Sequence, residues 1–332
     1  MVTKSNPGSA SVSEADSKLS FRQRIRDPYF WSDWLVVVAF LFVIVVFGAI
    51  NPSAFLSVYN LNNILVASAI PAIIVVGQTF AVATAGIDLS VSSILTLGAV
   101  IFGICFTKQY PVWVCMLGGM IAGLIAGVVN GLIISVRKIN DFIVTLGMLS
   151  IAAGTALVLS NGRPVQIINS GLANVAINEK FGVPYLMYIA FAIVLFSHFL
   201  LFHTRFGVHL LAVGGDPDSA RAMGVSIVKI KVAVYGISGL LAGFAATLAI
   251  ARIGAAEPAA NTAILLNSVA AVVLGGVSLF GGRATIFGPF VATLLLQALS
   301  NGLTIIGVAS YYQYISVGIV VILSASLVRN VR

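Results

Sequence analysis

Residues 62–107 read NNILVASAIPAIIVVGQTFAVATAGIDLSVSSILTLGAVIFGICFT, and the only formal charge among them is Asp88. A helix needs roughly 17–25 mostly apolar residues to cross a hydrocarbon core, so the stretch is long enough for two passes. Only a helix or a closed barrel satisfies its backbone in lipid, and neither half alternates as a barrel strand would. The reading is two spanning helices, 62–84 and 90–107, joined by a turn around Gly86–Ser90.

The rest of the chain repeats this pattern. Hydrophobic residues make up 59% of its 332 residues and charged residues 8%, with a mean hydropathy of +1.08. A soluble domain carries about 25% charged residues to wet its surface. A water-soluble fold of this composition would expose very large apolar patches, which excludes that class. Further runs at 33–50, 112–136, 141–160, 183–203, 228–251, 262–280, 284–304 and 312–328 bring the predicted spans to ten. The expectation is an all-α, polytopic membrane protein with one membrane domain, 33–328. A polar cytoplasmic tail precedes it at 1–32, and residues 329–332 are a short cytoplasmic end. Arg22, Arg24 and Arg26 stand just before the first run with no small-residue cleavage site, the pattern of an uncleaved signal anchor.

The net charge of +8 is scattered between apolar runs and forms no stripe, so it does not point to nucleic acid. It does orient the chain. With both termini cytoplasmic, the inner segments hold fourteen of the eighteen Lys and Arg residues, and the outer ones hold Lys108, Arg163, Lys180 and Arg252. Two connections are long: 161–182 outside and 204–227 inside. Asn130–Leu132 and Asn301–Leu303 repeat the triplet NGL near the ends of spans four and nine. Elements five helices apart run in opposite directions, which suits an inverted repeat of spans 2–5 and 7–10. Cys105 and Cys115 lie in or beside apolar runs and read as free thiols.

Three segments carry chemistry. In Gly86-Ile87-Asp88-Leu89-Ser90, a carboxylate among apolar residues costs about 2.5–3.5 kcal/mol at a bilayer centre and therefore faces a partner or a polar cavity. Two roles fit Asp88: capping the third span together with Ser90, or lining a polar path. In the inner loop, Asp216 has the grammar of an N-cap, Pro217 of a first helical residue and Gly224 of a stop. Asp218, Ala220, Arg221 and Met223 complete a two-turn helix, which is either a docking knob for a cytoplasmic partner or an ordinary interfacial helix. The third segment, Leu274–Arg283, holds two glycine pairs that permit close helix approach or an unwound turn. No stretch matches a phosphate-binding loop, and no catalytic or metal-ligating constellation is visible, so nothing points to an enzyme, a cofactor or a bound metal.

In this order, GIDLS at 86–90, Gly214–Val225, and VLGGVSLFGG at 273–282 running on to Asn301-Gly302-Leu303 resemble the permease subunits of ribose/xylose-type ATP-binding-cassette sugar importers. The resemblance spans about residues 35–328. It implies a multi-pass protein of the bacterial inner membrane, two permease copies around a path, cytoplasmic ATPases as separate chains and a periplasmic binding protein. The two copies are either identical or a pair of different permeases. It also implies that Asp216–Val225 is the coupling helix that sits in a groove of the ATPase. The chain departs from the family pattern at Ser92, Ala284, Leu265 and Asn267. A path for a neutral, pentose-like sugar or polyol needs hydrogen-bonding groups without strong charge. Gln78, Thr79, Asn130, Gln297 and Asn301 are the candidates, each equally able to join helices to one another, and Asp88 and Ser90 are added to the path if they line it instead of capping the third span. A branched-chain amino acid permease is the nearest rival, and an ion-coupled transporter is a more distant one because it wants acids in mid-membrane spans and the chain offers at most Asp88.

Overall fold

The computed structural model describes residues 28–329. Residues 1–27 of the polar tail and residues 330–332 lie outside the described residues, and with them six of the basic residues that orient the chain (Lys4, Lys18, Arg22, Arg24, Arg26 and Arg332). The order of elements is α1 (Pro28–Ile50), α2 (Pro52–Phe55), α3 (Val58–Ala83), α4 (Val91–Thr107), α5 (Val112–Arg137) and α6 (Asp141–Ser160). Then come β1 (Val165–Gln166), α7 (Ser170–Ile177), β2 (Glu179–Lys180), β3 (Val183–Pro184), α8 (Tyr185–Phe202), α9 (Arg205–Gly215) and α10 (Pro217–Ala222). The chain ends with α11 (Ile227–Ile253), β4 (Ala255–Ala256), α12 (Thr262–Leu274), α13 (Phe287–Ile305) and α14 (Ser310–Arg329).

Each apolar run contains a helix, and among the described residues six helices (α3, α5, α6, α8, α11 and α13) are long and apolar enough to cross a membrane. Side chains set many of the starts. Ser57, Asn140, Thr204 and Ser226 each accept a backbone N–H two or three residues on, which satisfies one of the orphan donors of a first turn. Lys138, Asn161 and Gly254, all left-handed, follow the last residues of α5, α6 and α11.

The first helix begins at Pro28, five residues before the predicted span, and two later boundaries differ because of the backbone between them. The run 262–280 is helical only as far as Leu274, and α13 begins at Phe287 instead of 284. Between them Gly276, Gly281 and Gly282 take φ of +83°, +78° and +74°, which a continuing helix cannot accommodate. Hydropathy does not report that backbone choice. The long connections also hold more structure than a loop: α7 in the 161–182 segment, and α9 ahead of α10.

Helices α3 and α11 form the centre, with 78% and 72% of their apolar windows buried, against 22% for α6. The pattern of neighbours is unchanged when α3–α6 are exchanged with α11–α14. Helix α11 packs on α5 as α3 packs on α13, α4 meets α5 and α6 as α12 meets α13 and α14, and α3 meets α11 itself. The closest approach is a glycine seam. Gly119, Gly123, Gly127 and Gly131 recur every fourth residue on α5 and face Gly239, Gly243 and the backbone around Tyr235 on α11. A Cβ on Gly123 would lie 2.1 Å from the Gly239 oxygen, and one on Gly239 would lie 2.1 Å from the Gly123 oxygen. Without a hydrophobic drive between helices in lipid, such backbone contact is a main source of association.

Links between connections define two ends of the bundle. At one, Val165 and Gln166 of β1 pair antiparallel with Ala256 and Ala255 of β4, and Asn62 donates to Glu179. At the other, the backbone N–H of Gly282 donates to the Ala83 oxygen at 3.0 Å, and Lys231 meets Asp141.

Candidate functional site: a capped helix over a polar knot

The site lies at the second end. Helix α9 turns into α10 at Asp216, whose Oδ1 accepts the backbone N–H groups of Asp218 (3.0 Å) and Ser219 (3.1 Å). Its Oδ2 accepts the Ser219 hydroxyl at 2.5 Å. These bonds to the ionised form hold the Asp216 carboxyl below its ordinary value. Pro217 occupies the first turn, where its missing N–H costs nothing. At the other end the N–H groups of Gly224 and Val225 donate to Arg221 and Ala220, with Gly224 at φ +84°. Ala220 is buried beneath the helix, while Asp218 and Arg221 pair at 3.1 Å on its exposed side. Met223 is 72% exposed. The result is a short, well-capped knob that presents an apolar side chain among charges.

The knob rests on the two other motifs. A Cβ on Gly214 would lie 1.9 Å from the Ala83 oxygen and 2.7 Å from the Gly282 nitrogen. One on Gly281 would lie 2.4 Å from the Gly214 oxygen and 2.8 Å from the Ala85 nitrogen. Three segments far apart in sequence, around Ala83–Ala85, Gly214 and Gly281–Gly282, therefore meet backbone to backbone, and no side chain fits between them.

One layer deeper, Asp88 is fully buried. Its Oδ1 accepts the Ser90 N–H (3.0 Å) and hydroxyl (2.6 Å), and its Oδ2 accepts the Ser238 hydroxyl of α11 at 2.8 Å. The Asn130 amide of α5 donates to the Ser90 Oγ at 2.9 Å. The carboxylate thus ties the first turn of α4 to α5 and α11. Of the other polar residues read from the sequence, Gln78 and Thr79 are also fully buried. The Thr79 hydroxyl donates to the Val75 oxygen at 2.8 Å, whereas neither amide atom of Gln78 reaches a partner in the chain. Asn301, at the opposite end, exchanges two hydrogen bonds with Asn60, at 2.8 and 2.9 Å. Gln297 is half-buried on α13.

The structure also brings together residues that the sequence reading did not single out. Lys231 and Tyr235 of α11 both reach Asp141 of α6, each at 2.6 Å. The sequence signal for Asp141 was slight: an acid following Asn140 at the start of a span, with partners ninety residues on. A cleft of about 900 Å³ between α10 and the α5–α6 turn is lined by Lys138, Asp141, Asp218, Arg221 and Lys231, among others. Among the described residues no group of His, Cys, Asp and Glu is placed to hold a metal ion.

Comparison with known proteins identifies this architecture. The chain is 37% identical over 313 residues to the ribose import permease protein RbsC of Escherichia coli K12, covering 91% of this chain and 96% of that one. It is 37% identical to the RbsC of Bacillus subtilis 168, covering 87% and 91%. It is 32% identical to the D-allose transport system permease protein AlsC of Escherichia coli K12, covering 96% of each. No solved structure matches the chain significantly. Residues 60–325 match the family model described as branched-chain amino acid transport system / permease component. That match takes in most of the chain and all three converging segments, and the chain belongs to this permease family.

Proposed function

We propose that the chain is the membrane-spanning subunit of an importer for a small neutral sugar or polyol, driven by separate ATPase subunits that dock on α10. The observation that carries this reading is the convergence of Ala83–Ala85, which lead into Gly86–Ser90, with Gly214 and Gly281–Gly282 at one end of the bundle. A partner that pulls on α10 acts through the end of α9, whose Gly214 touches the backbone that joins α3 to α4 and α12 to α13. Asp216, Pro217 and Gly224 shape the docking helix, Ala220 seats it, and Asp218, Arg221 and Met223 face the ATPase. Sugar as substrate follows from the relatives, whose names specify ribose, allose, arabinose and fructose.

The same reading has ten spans with both termini in the cytoplasm of a bacterial cell, and spans 2–5 and 7–10 as inverted repeats. The exchangeable pattern of neighbours supports the repeat. Two copies of the chain enclose the path in the inner membrane, and a periplasmic binding protein delivers the sugar to the end that holds β1 and β4. Gln78, Thr79, Asp88, Ser90 and Asn130 are sealed within one chain, so they meet sugar only if the helices part. Gln297 and Asn301 are less enclosed.

The test is uptake of radiolabelled ribose into proteoliposomes that hold the permease, its ATPase and a loaded binding protein. Uptake is expected to require ATP and to be competed by pentoses. The family description favours a second reading, a branched-chain amino acid permease. Competition by leucine and not by pentoses would establish that one instead. Uptake without ATP that collapses with an ion gradient would contradict both.

A further inference from the structure

We propose that Asp141, Lys231 and Tyr235 form a coupling relay, a polar clasp that passes displacement of the docking helix α10 to the base of α6 and to the Gly86–Ser90 connection. The inference rests on the docking role of α10 given above.

The geometry is that of a linkage with three arms. One carboxylate oxygen of Asp141, the first residue of α6, accepts both Lys231 Nζ and the Tyr235 hydroxyl at 2.6 Å. Lys231 stands near the start of α11, which is joined to α10 by only a few residues, and Ser226 caps that start through the Lys229 N–H at 3.4 Å. The third arm is Gly86. A Cβ there would lie 2.2 Å from the same Asp141 oxygen, 2.5 Å from the Tyr235 hydroxyl and 3.2 Å from Lys231 Nζ, so the connection between α3 and α4 is seated on the clasp itself. One turn along α6, the Thr145 hydroxyl donates to the Ile87 oxygen at 3.1 Å, a second tether between the same two segments.

Two further observations favour a coupling role over a plain structural tie. The Asp141 and Lys231 side chains are 19% and 12% exposed, and enclosing such a pair costs desolvation that often cancels its attraction, so stability alone is a weak reason for it. Helix α6 is also the least buried of the long apolar helices, and a Cβ on its Gly147 or Gly154 would meet nothing within 4 Å. A loosely packed helix whose base is fixed by a directional, distance-sensitive contact follows its partner's motion at that point, where an apolar contact would slip.

The experiment uses the reconstituted permease–ATPase complex with loaded binding protein. It compares wild type with Asp141→Asn/Lys231→Gln, which removes both charges together, and with Gly86→Ala, which wedges the clasp and leaves its charges in place. In both variants the ATPase is expected to stay bound, melting to stay within a few degrees of wild type and ATP hydrolysis to continue. Uptake is expected to fall about two- to thirtyfold, the range that a coupling term of this kind spans, and Asp141→Glu should recover part of it. Unchanged uptake in both variants overturns the relay. So does a parallel fall of uptake, hydrolysis and melting, which would make the clasp structural. Failure of wild type to retain any ATPase overturns the docking reading itself, and the relay with it, and is seen before any variant is compared.

Discussion

Asp88 and Asp216 are both carboxylates at helix starts, and their surroundings give them opposite work. Asp88 is sealed, and its acceptor atoms are spent on Ser90 and Ser238, so it joins three helices. Replacing it with Ala leaves two buried hydroxyls without their acceptor, at a cost of about 1–3 kcal/mol for each group left unsatisfied. Asp88→Ala should therefore lower the melting temperature in detergent clearly, and Asp88→Asn, which keeps an acceptor oxygen, should lower it less. Asp216 is exposed and organises only its own short helix. Its carboxyl is held below the ordinary value, so its capping contribution is complete at neutral pH and is lost as pH falls through that lowered value. Protection of the Ser219 amide against exchange, relative to an unstructured peptide, should be lost only in acid for the wild type. In Asp216→Ala it should be absent at all pH values, and Asp216→Asn should keep it because Asn is an equally good cap.

At the scale of elements, the α5–α11 seam sets what the fold tolerates. Gly123→Leu drives a side chain into a carbonyl that a Cβ alone would approach to 2.1 Å, and it should abolish recovery of monodisperse protein. Gly147→Ala and Gly154→Ala on α6 face open space and should be neutral or slightly stabilising, as helix propensity alone dictates. Size-exclusion profiles of the three variants check both statements. The four-residue spacing of glycines on α5 is plain in the sequence, but the helix it faces is not, because periodicity names a face without naming its partner. Much the same limit hid Asp141 and Lys231, which read separately as a span boundary and an orienting charge. The short helix α10 was legible down to its cap because Asp216, Pro217 and Gly224 are local signals. The early end of α12 was not, because it depends on glycine dihedrals that hydropathy ignores.

For the whole molecule, orientation and partnership are the quantities that matter. The end bearing α10 holds Arg137, Lys138, Arg205, Arg221, Lys229, Lys231 and Arg283, and the other end holds Lys108, Arg163, Lys180 and Arg252. That asymmetry is the ground for reading α10 as cytoplasmic. In whole cells an impermeant thiol reagent should label Ile168→Cys, a site 91% exposed beside β1, and should label Met223→Cys only after permeabilisation. The reverse pattern would invert the topology. The central claim is that α10 is the seat of a separate ATPase, and copurification in detergent tests it most directly. Wild type is expected to retain the ATPase, and Asp218→Lys/Arg221→Glu, which inverts the exposed pair without touching the cap, is expected to lose it. An ATPase held equally by both forms would move the docking surface elsewhere, and an ATPase held by neither would contradict the importer reading altogether.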